Sequence, residues 1–269
     1  MFIKQLEQRQ IKANSLLCVG LDPQAAKINT LQLSLIDWLC AIVDATAEHA
    51  CAFKPQIAHF SALAAEQQLT DIITYIHQNH PGIPVILDSK RGDIGSTAER
   101  YAEEAFVRYQ ADALTVNPYL GGDTLTPYSQ YTDKGVVILC KTSNQQSGQL
   151  QDLVLQSGQP LYLRVAQLAA EQWNNNNNVM LVVGATYPQQ LQAIREQVGD
   201  MPLLIPGIGA QGGDLAATLK AGLLKNGLGL IISASRSIIY AGGDMDFAKQ
   251  AGLAAKQLKT EINQIRVQI

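Results

Sequence analysis

Short aliphatic runs alternate along this sequence with longer amphipathic stretches. Eight runs rich in β-branched and other aliphatic residues predict β-strands at 16–22, 51–56, 84–90, 113–118, 135–143, 179–185, 202–209 and 228–235. In the intervening stretches apolar residues recur at the i, i+3, i+4 spacing of a helix, for example in 31–50, 57–78 and 95–110. Strands that are apolar on both faces and are separated by helices predict a parallel sheet with helices on both sides.

Eight such strand and helix units in a chain of 269 residues favour a closed (β/α)8 barrel, the TIM-barrel fold, over an open sheet. We find no linker-like segment, so we expect one α/β catalytic domain over residues 1–269. The polar run of asparagines at 174–178 predicts a solvated loop ahead of the sixth strand.

The composition is that of an ordinary globular protein, with 47% hydrophobic and 16% charged residues. A net charge of -3 without a dense Lys/Arg block argues against a general nucleic-acid or membrane surface. No segment approaches the roughly 18 uninterrupted apolar residues of a membrane span, and the first residues do not have the pattern of a signal peptide. We therefore expect a cytoplasmic protein without nucleic-acid or membrane partners.

The cysteines and histidines do not have the spacing of a metal site. No CxxC pair occurs, and most of the cysteines lie inside apolar strand-like runs. We expect free thiols in a reducing compartment and no bound metal. The residues considered are Cys18, Cys40, Cys51, Cys140, His49, His59, His77 and His80.

Polar residues concentrate at the ends of the predicted strands, whereas the strand interiors are aliphatic. In a barrel of this kind the carboxyl ends of the strands meet on one rim, where the active site forms. Each residue alone has a structural alternative, a cap or a rim ion pair, but their convergence favours a site. They include Asp22, Lys54, Asp88, Lys90, Asn117, Lys141, Thr142, Ser143, Asn144, Ser233, Ser235 and Arg236.

The segment IPGIGAQGGD after strand seven contains glycines with the G-x-G-x-x-G spacing. A dinucleotide site would also need an acidic residue about twenty positions on, but that region ends instead in an arginine. In a barrel the loops after strands seven and eight commonly bind phosphate. We therefore predict a monophosphate site, formed by backbone approach and side chains of Gly209, Gln211, Gly212 and Arg236.

The segment DSKRGD places several charges directly after the third predicted strand. Side chains two apart on a strand share a face, so we expect Asp88 and Lys90 to point the same way, with Asp93 in the following loop. Lys54 on the neighbouring strand completes a row of alternating charge. Two flanking carboxylates favour the ammonium form of Lys90, which suits a proton donor rather than a nucleophile.

The D-x-K-x-x-D pattern at 88–93 is accompanied by five further motifs: CVGLDP (18–23), FKPQ (53–56), NPYLGGD (117–123), KTSN (141–144) and PGIGAQGGD (206–214). Together they resemble the orotidine 5′-phosphate decarboxylases, above all the longer bacterial subfamily, type 2. The similarity extends from the first to the eighth strand. It implies decarboxylation of orotidine 5′-monophosphate to uridine 5′-monophosphate and CO2, the last step of de novo pyrimidine synthesis, without a cofactor.

The resemblance also implies roles for individual residues. Lys90 would protonate C6 of the pyrimidine, and Asp88 would lie against the departing carboxylate and position Lys90. Lys54 would join this network and reach the ribose, whose hydroxyls Asp22 would hold. Asp93 and Thr97 would reach the ribose bound in the other subunit of a homodimer. The remaining substrate-binding candidates are Asn117, Ser143 at the pyrimidine edge, Ser235, and the phosphate-side residues Gly209, Gln211, Gly212 and Arg236.

One departure concerns the loop after KTSN, where the family pattern leads us to expect Pro-Gly. This chain has Gln145 and Gln146 there. We therefore expect the loop on the pyrimidine side to be longer or more mobile than usual, which affects the placement of Ser143.

Three other functions compete with this interpretation. A magnesium-dependent sugar-phosphate decarboxylase of the same superfamily would carry Glu at the position of Lys54, where a cation opposes metal binding. A Schiff-base aldolase would need a neutral lysine at Lys54, Lys90 or Lys141, and Lys90 between two acids is the wrong setting. A nucleotide-binding barrel without activity is the third, and the complete set of charged residues argues against it.

Overall fold

The computed structural model describes residues 1–208 and 213–269. Eight parallel strands of these residues form one sheet: β1 (Leu17–Leu21), β2 (Ala52–Pro55), β3 (Ile86–Arg91), β4 (Ala113–Val116), β5 (Gly135–Lys141), β6 (Val179–Val183), β7 (Leu203–Pro206) and β8 (Leu230–Ala234). The strand order β2-β1-β8-β7-β6-β5-β4-β3 leaves β2 and β3 at the two ends. Parallel bridges between Phe53 and Val85 and between Gln56 and Asp88 join these ends. The sheet therefore closes into the expected (β/α)8 barrel.

Helices connect successive strands and cover the outside of the barrel. Those of the described residues are α1 (Phe2–Ala13), α2 (Ala25–Ile28), α3 (Leu35–Thr46), α4 (Ile57–Ser61), α5 (Glu66–Asn79), α6 (Gly95–Glu103), α7 (Thr126–Ser129), α8 (Gly148–Gln151), α9 (Leu161–Leu168), α10 (Pro188–Val198), α11 (Leu215–Gly222), α12 (Arg236–Ile239) and α13 (Phe247–Arg266). Helices α6 and α9 continue as π-helical turns at Glu104–Arg108 and Ala169–Trp173. Short 3₁₀ turns lie at Asn29–Leu31, Pro118–Leu120 and Gly122–Leu125.

Each predicted strand overlaps an observed one, because a buried parallel strand is a continuous aliphatic run. The helix predictions needed more correction. The stretch 57–78 contains two helices rather than one, since Ala64 has a φ of 50° in the left-handed region, which interrupts an α-helix. The helical pattern of 31–50 corresponds to the shorter α3, with Ser34 as its N-cap, accepting from the amide of Asp37.

The half of the barrel interior nearer the amino ends of the strands, here called the lower half, is a separate apolar core. Helix α1 covers it. The Phe2 amide donates to the carbonyl of Asp133, just before β5, and the Gln10 side chain donates to the carbonyl of Leu230 at the start of β8. Helix α1 therefore covers the end of the barrel opposite the carboxyl ends of the strands, and the sequence patterns did not predict it. Its Phe2 and Leu6 pack with Cys18, Cys51, Ala52, Ile86, Ala113, Val137, Met180, Val182, Leu204 and Ile231.

The asparagine run at 174–178 is a loop, as predicted, but its last residue is not solvated. Asn178 is 1% exposed, and its Nδ2 donates to the carbonyls of Ser129, Tyr131 and Lys134. The side chain of Asn174 accepts from the amide of Val179 at the start of β6. The run therefore fastens the entry to β6, which a spacer would not do.

The cysteines are free, and Cys18, Cys51 and Cys140 are buried in the core. Burial raises the pKa of the Cys18 thiol to about 12, so this thiol is protonated at neutral pH. No single helix of residues 1–208 and 213–269 has the length and hydropathy to cross a membrane, although the bent pair formed by 25–31 and 35–46 passes the same test by length and composition.

Helix α1 offers a test of how much the closed lower end contributes to stability. Phe2 is 1% exposed, so Phe2→Ala is expected to lower the free energy of unfolding by about 3 kcal/mol, because it leaves a cavity in the barrel floor. Urea denaturation measures this change. The control is Ile11→Ala on the same helix, a residue that is 68% exposed and should change stability by less than about 0.5 kcal/mol. Equal effects of the two changes would contradict the conclusion that α1 stabilises the barrel by covering its lower end.

Candidate active site

A network of three charged side chains lies at the carboxyl ends of β2 and β3. The Lys54 Nζ donates to Asp88 Oδ2 at 2.9 Å. The Lys90 Nζ donates to the other oxygen, Asp88 Oδ1, at 2.7 Å. The carboxylate of Asp88 therefore bridges two ammonium groups, one on each oxygen.

The alternation of the strands explains two members of this network. Ala52 of β2 and Ile86 of β3 face the barrel interior, where they pack in the lower core. Residues two positions further along face the same way, so Lys54 and Asp88 also point inward, nearer the carboxyl ends. The bridge between Gln56 and Asp88 sets the two strands in the register that brings the charges together.

Lys90 reaches Asp88 by a different route from the one that the sequence indicated. Leu87 pairs with Leu114 and Arg91 pairs with Val116, so three residues of β3 lie opposite one residue of β4. This is a bulge, and Lys90 within it has a φ of 49°, in the left-handed region. The two side chains do meet, as expected, but through an irregular strand rather than through simple alternation.

Burial and charge act in opposite directions on this network. The side chains of Lys54 and Asp88 are 8% and 11% exposed, whereas that of Lys90 is 44% exposed. Burial by itself would raise the pKa of Asp88, but the ammonium groups of Lys54 and Lys90 hold the pKa of this carboxyl well below its usual range. Burial would likewise lower the pKa of Lys54, but Asp88 and Asp22 outweigh it and raise that pKa above its usual value. Lys54 and Asp88 are therefore both charged at neutral pH, and Lys90 is the member that is open to a bound molecule.

Thr115 of β4 is a site residue that the sequence analysis missed. Its hydroxyl donates to Asp88 Oδ1 at 2.9 Å and accepts from the amides of Ser89 and Lys90, both also at 2.9 Å. Threonine is common in β-strands, so its presence in the run ALTV does not by itself indicate a functional residue. Its position could have revealed it, because Thr115 lies two residues after the inward-facing Ala113.

Two polar groups at the ends of β1 and β8 are buried without a hydrogen-bond partner among the described residues. They are the Oδ1 atom of Asp22 and the hydroxyl of Ser235. A Cβ at Gly20 would lie 2.7 Å from the Cβ of Ser235, so the glycine permits this close approach of the two strand ends. Buried polar atoms normally have a partner, and both groups were predicted to bind substrate.

The loop after β3 does not extend the charged row within one chain. Asp93 Oδ1 accepts from the amide of Ile94 at 2.8 Å, and no ion pair of Asp93 is found among residues 1–208 and 213–269. The ion pair that Lys90 forms among these residues is with Asp88, so the expectation that Asp93 also flanks Lys90 stays a prediction. Thr97 lies exposed in α6. Arg91 pairs with Glu104 at 2.8 Å, which fastens the π-helical turn after α6 to the strand.

The ends of β4 and β5 place two further predicted residues. Asn117 is exposed, and its Oδ1 accepts from the amide of Tyr119, which caps the following turn. Ser143 lies against Gly184, where an added Cβ would be 2.7 Å from the Ser143 nitrogen and Cα. The absence of a side chain at Gly184 therefore allows the segments that follow β5 and β6 to pack closely.

Lys141 has a structural environment. It is fully buried, its Nζ donates to Asp152 at 2.8 Å and to Ser147 at 3.2 Å, and the same atom lies 4.6 Å from the centroid of the Tyr187 ring. These contacts fasten the segment that contains Gln145 and Gln146 to the end of β5. A lysine engaged in this way does not match the neutral nucleophile of a Schiff-base aldolase.

The predicted phosphate site is described only in part. Gly209, Gln211 and Gly212 lie outside the described residues. Gly207, just before them, has a φ of 102°, a conformation that favours glycine. Arg236 is exposed at the start of α12, directly after β8. Within the described residues no group of three or more His, Cys, Asp or Glu side chains is placed to hold a metal ion.

A closed (β/α)8 barrel with ionised groups at the carboxyl ends of its strands is the architecture of a barrel enzyme. Comparison with known proteins shows to which family of barrel enzymes the chain belongs. The family model described as "Orotidine 5'-phosphate decarboxylase / HUMPS family" matches residues 15–251. The chain belongs to this family.

Similar proteins extend over nearly the whole chain. A protein of Dechloromonas aromatica (strain RCB) is 55% identical, covering 98% of this chain and 99% of its own, and one of Ralstonia nicotianae is 53% identical with the same coverage. Both are named orotidine 5'-phosphate decarboxylase. The solved structure of a Leishmania donovani OMP decarboxylase is 40% identical, has a TM-score of 0.86, and is matched over 99% of this chain and 98% of that one. The family and the carboxy-lyase class predicted from the sequence are thereby confirmed.

The charged network predicts a specific dependence of stability on pH. At pH 7, Asp88→Asn is expected to lower the free energy of unfolding by about 3 kcal/mol or more, since it leaves Lys54 buried without its partner. The folded-state pKa of Asp88 is depressed, so its contribution is present above the pKa of the unfolded carboxyl, about 3.9, and is lost as the pH falls below it.

The measurement is a series of urea denaturation curves of both proteins between pH 7 and pH 3. The difference in stability is expected to shrink below about pH 4. Asp244→Asn, at an exposed residue, serves as control and should show no such difference. A stability difference that is the same at every pH would mean that the charge of Asp88 does not hold the network.

Proposed function

We propose that this chain converts orotidine 5′-monophosphate to uridine 5′-monophosphate and CO2, the last step of de novo pyrimidine synthesis, with Lys90 as the proton donor to C6. The observation that carries this proposal is the half-exposed Lys90 ammonium, held 2.7 Å from a carboxylate whose second oxygen is bound by Lys54. The names of the relatives support the choice of substrate.

The reaction balances with the groups of this network. The bond from C6 to the carboxylate breaks, CO2 leaves, and the electron pair stays on C6. Lys90 transfers a proton from Nζ to C6 and is afterwards protonated again by solvent. No oxidant, reductant or cofactor is consumed.

The charges favour the transition state over the bound substrate. The carboxylate of the substrate meets the negative charge of Asp88, which repels it. As charge moves from the carboxylate to C6, it approaches the Lys90 ammonium and is stabilised there. The fixed position of both groups matters, because preorganised charges need no reorganisation during the reaction.

Substrate binding is assigned to the rim residues. Lys54 and Asp22 hold the ribose, and the Asp22 Oδ1, buried without a partner within residues 1–208 and 213–269, supports this assignment. Ser143 binds the pyrimidine edge beside Asn117, and Ser235 lies at the end of β8. Gly209, Gln211, Gly212 and Arg236 bind the phosphate, whose remote binding energy can be used to close the site.

A homodimer completes the proposed site. Asp93 forms no ion pair within the described part of one chain, and the neighbouring Ile94 is apolar and 62% exposed. Tyr119, after the next strand, is 73% exposed. These residues support a loop that contacts a second copy, so that Asp93 and Thr97 reach the ribose bound there.

We extend the proposal to the whole chain and its location. Residues 1–269 act as one catalytic barrel without a cofactor, a metal or a nucleic-acid partner. The free thiols support a reducing compartment, the cytoplasm.

The role of Lys90 is tested by two substitutions that separate proton donation from charge. Lys90→Ala removes both, and Lys90→Arg keeps the charge but cannot release a proton, since a guanidinium does not deprotonate in proteins. Both are expected to lower kcat by at least about 100-fold, the usual contribution of a general acid. The decrease in ultraviolet absorbance of orotidine 5′-monophosphate, recorded with EDTA present, measures the rate.

The exposed Lys4 in α1, at the opposite end of the barrel, provides the control, and Lys4→Ala should have the rate of the unchanged chain. If Lys90→Arg kept most of the activity, charge alone would explain the role of Lys90. Loss of the reaction on adding EDTA would instead favour a metal-dependent sugar-phosphate decarboxylase.

The shared site is tested by mixing two inactive variants. Asp93→Ala and Lys90→Ala are each expected to be inactive, because each lacks one part of every site. After subunit exchange, a heterodimer has one site with both residues intact, so part of the activity should return. The absorbance assay before and after mixing measures the recovery, and no recovery despite proven exchange would contradict a site built from two chains.

A further inference from the structure

We propose that Thr115 is a positioning residue that builds the bulge of β3 and thereby aims Lys90 and Asp88 at the substrate. The proposal rests on the proposed role of Lys90 as proton donor. Thr115 is 1% exposed, so it acts on the substrate through its neighbours and does not touch it.

The pairing of β3 with β4 leaves backbone amides of β3 without their regular partners between Leu87 and Arg91. Between the pairs Leu87 with Leu114 and Arg91 with Val116, the residues 88–90 all lie opposite Thr115. One residue of backbone cannot pair with three. The Thr115 hydroxyl substitutes for the missing ladder, since it accepts from the amides of both Ser89 and Lys90.

These contacts use the full hydrogen-bonding capacity of the hydroxyl. A threonine hydroxyl has one proton to donate and two lone pairs. Both lone pairs are occupied by amides, so the proton is directed at the remaining neighbour, Asp88 Oδ1, at 2.9 Å. The same oxygen accepts from Lys90 Nζ at 2.7 Å. One hydroxyl thus fixes the backbone that carries Lys90 and the carboxylate that holds its ammonium.

The backbone of Lys90 needs such support. Its φ of 49° is unfavourable for a residue with a side chain. An unusual conformation persists only where surrounding contacts determine it, and the hydrogen bond from the Lys90 amide to Thr115 is one such contact. Without it we expect the bulge to relax and the ammonium to move away from its position.

Two substitutions separate the hydroxyl of Thr115 from its shape. Thr115→Val keeps the branched shape and removes the hydroxyl, whereas Thr115→Ser keeps the hydroxyl and removes the methyl group. Because a misplacement of about 1 Å can cost about 100-fold in rate, Thr115→Val is expected to lower kcat by about that factor. KM should change far less, since Thr115 does not contact the substrate, and Thr115→Ser should remain within a few fold of the unchanged chain.

A matched control accounts for the general effect of losing a buried hydroxyl. Thr46 is fully buried in α3, and its hydroxyl donates to the carbonyl of Ile42 at 2.7 Å. Thr46→Val should leave both kcat and KM unchanged. The absorbance assay measures all variants, with circular dichroism and thermal unfolding as checks that each is folded.

The outcomes separate this inference from the proposed function. A kcat of Thr115→Val equal to that of Thr115→Ser, with Lys90→Ala inactive, overturns the role of Thr115 and leaves that of Lys90 intact. An active Lys90→Ala overturns the proposed function itself. If Thr115→Val does not fold, Thr115→Ala replaces it in the comparison with Thr115→Ser, and equal kcat values for these two overturn the inference.

Discussion

The carboxylate of Asp88 between two ammonium groups is the interaction on which the candidate site depends. Taking these charges out of water is unfavourable, and only close pairing with good hydrogen bonds offsets that cost. Lys54 and Asp88 meet this condition at 2.9 Å, and Lys90 completes it from the open side. Because the three side chains come from two strands that lie at the ends of the sheet order, the network requires a closed barrel.

The two halves of the barrel interior differ in polarity. The lower half is aliphatic and is sealed by α1, with Phe2 and Leu6 in the core. The upper half holds the charges, and the low dielectric of the core below strengthens their interactions. Lys141, a second buried lysine on the same rim, is held by Asp152 and serves the loop rather than the network. The two buried lysines at strand ends therefore have different partners, Asp88 for Lys54 and Asp152 for Lys141.

Much of the fold could be predicted from residues that are close in sequence. Aliphatic runs identified the strands, since a buried parallel strand needs apolar side chains on both faces. The segment DSKRGD revealed the charges, because their density at the end of an aliphatic run has few structural explanations. The break at Ala64 and the burial of Asn178 could not be predicted in this way. The burial of Asn178 depends on distant backbone, as the carbonyls of Ser129, Tyr131 and Lys134 that it binds show.

The succession of strands along the chain, the family motifs and the identity of Lys54, Asp88 and Lys90 can all be read from the amino-acid sequence. How these three side chains meet follows from the folded arrangement of the strands. The bulge at 88–90 and the support from Thr115 arise from pairing between β3 and β4, and periodicity within one strand contains no information about its neighbour. Local patterns specify which side chains are available, and packing between elements specifies the distances at which they act.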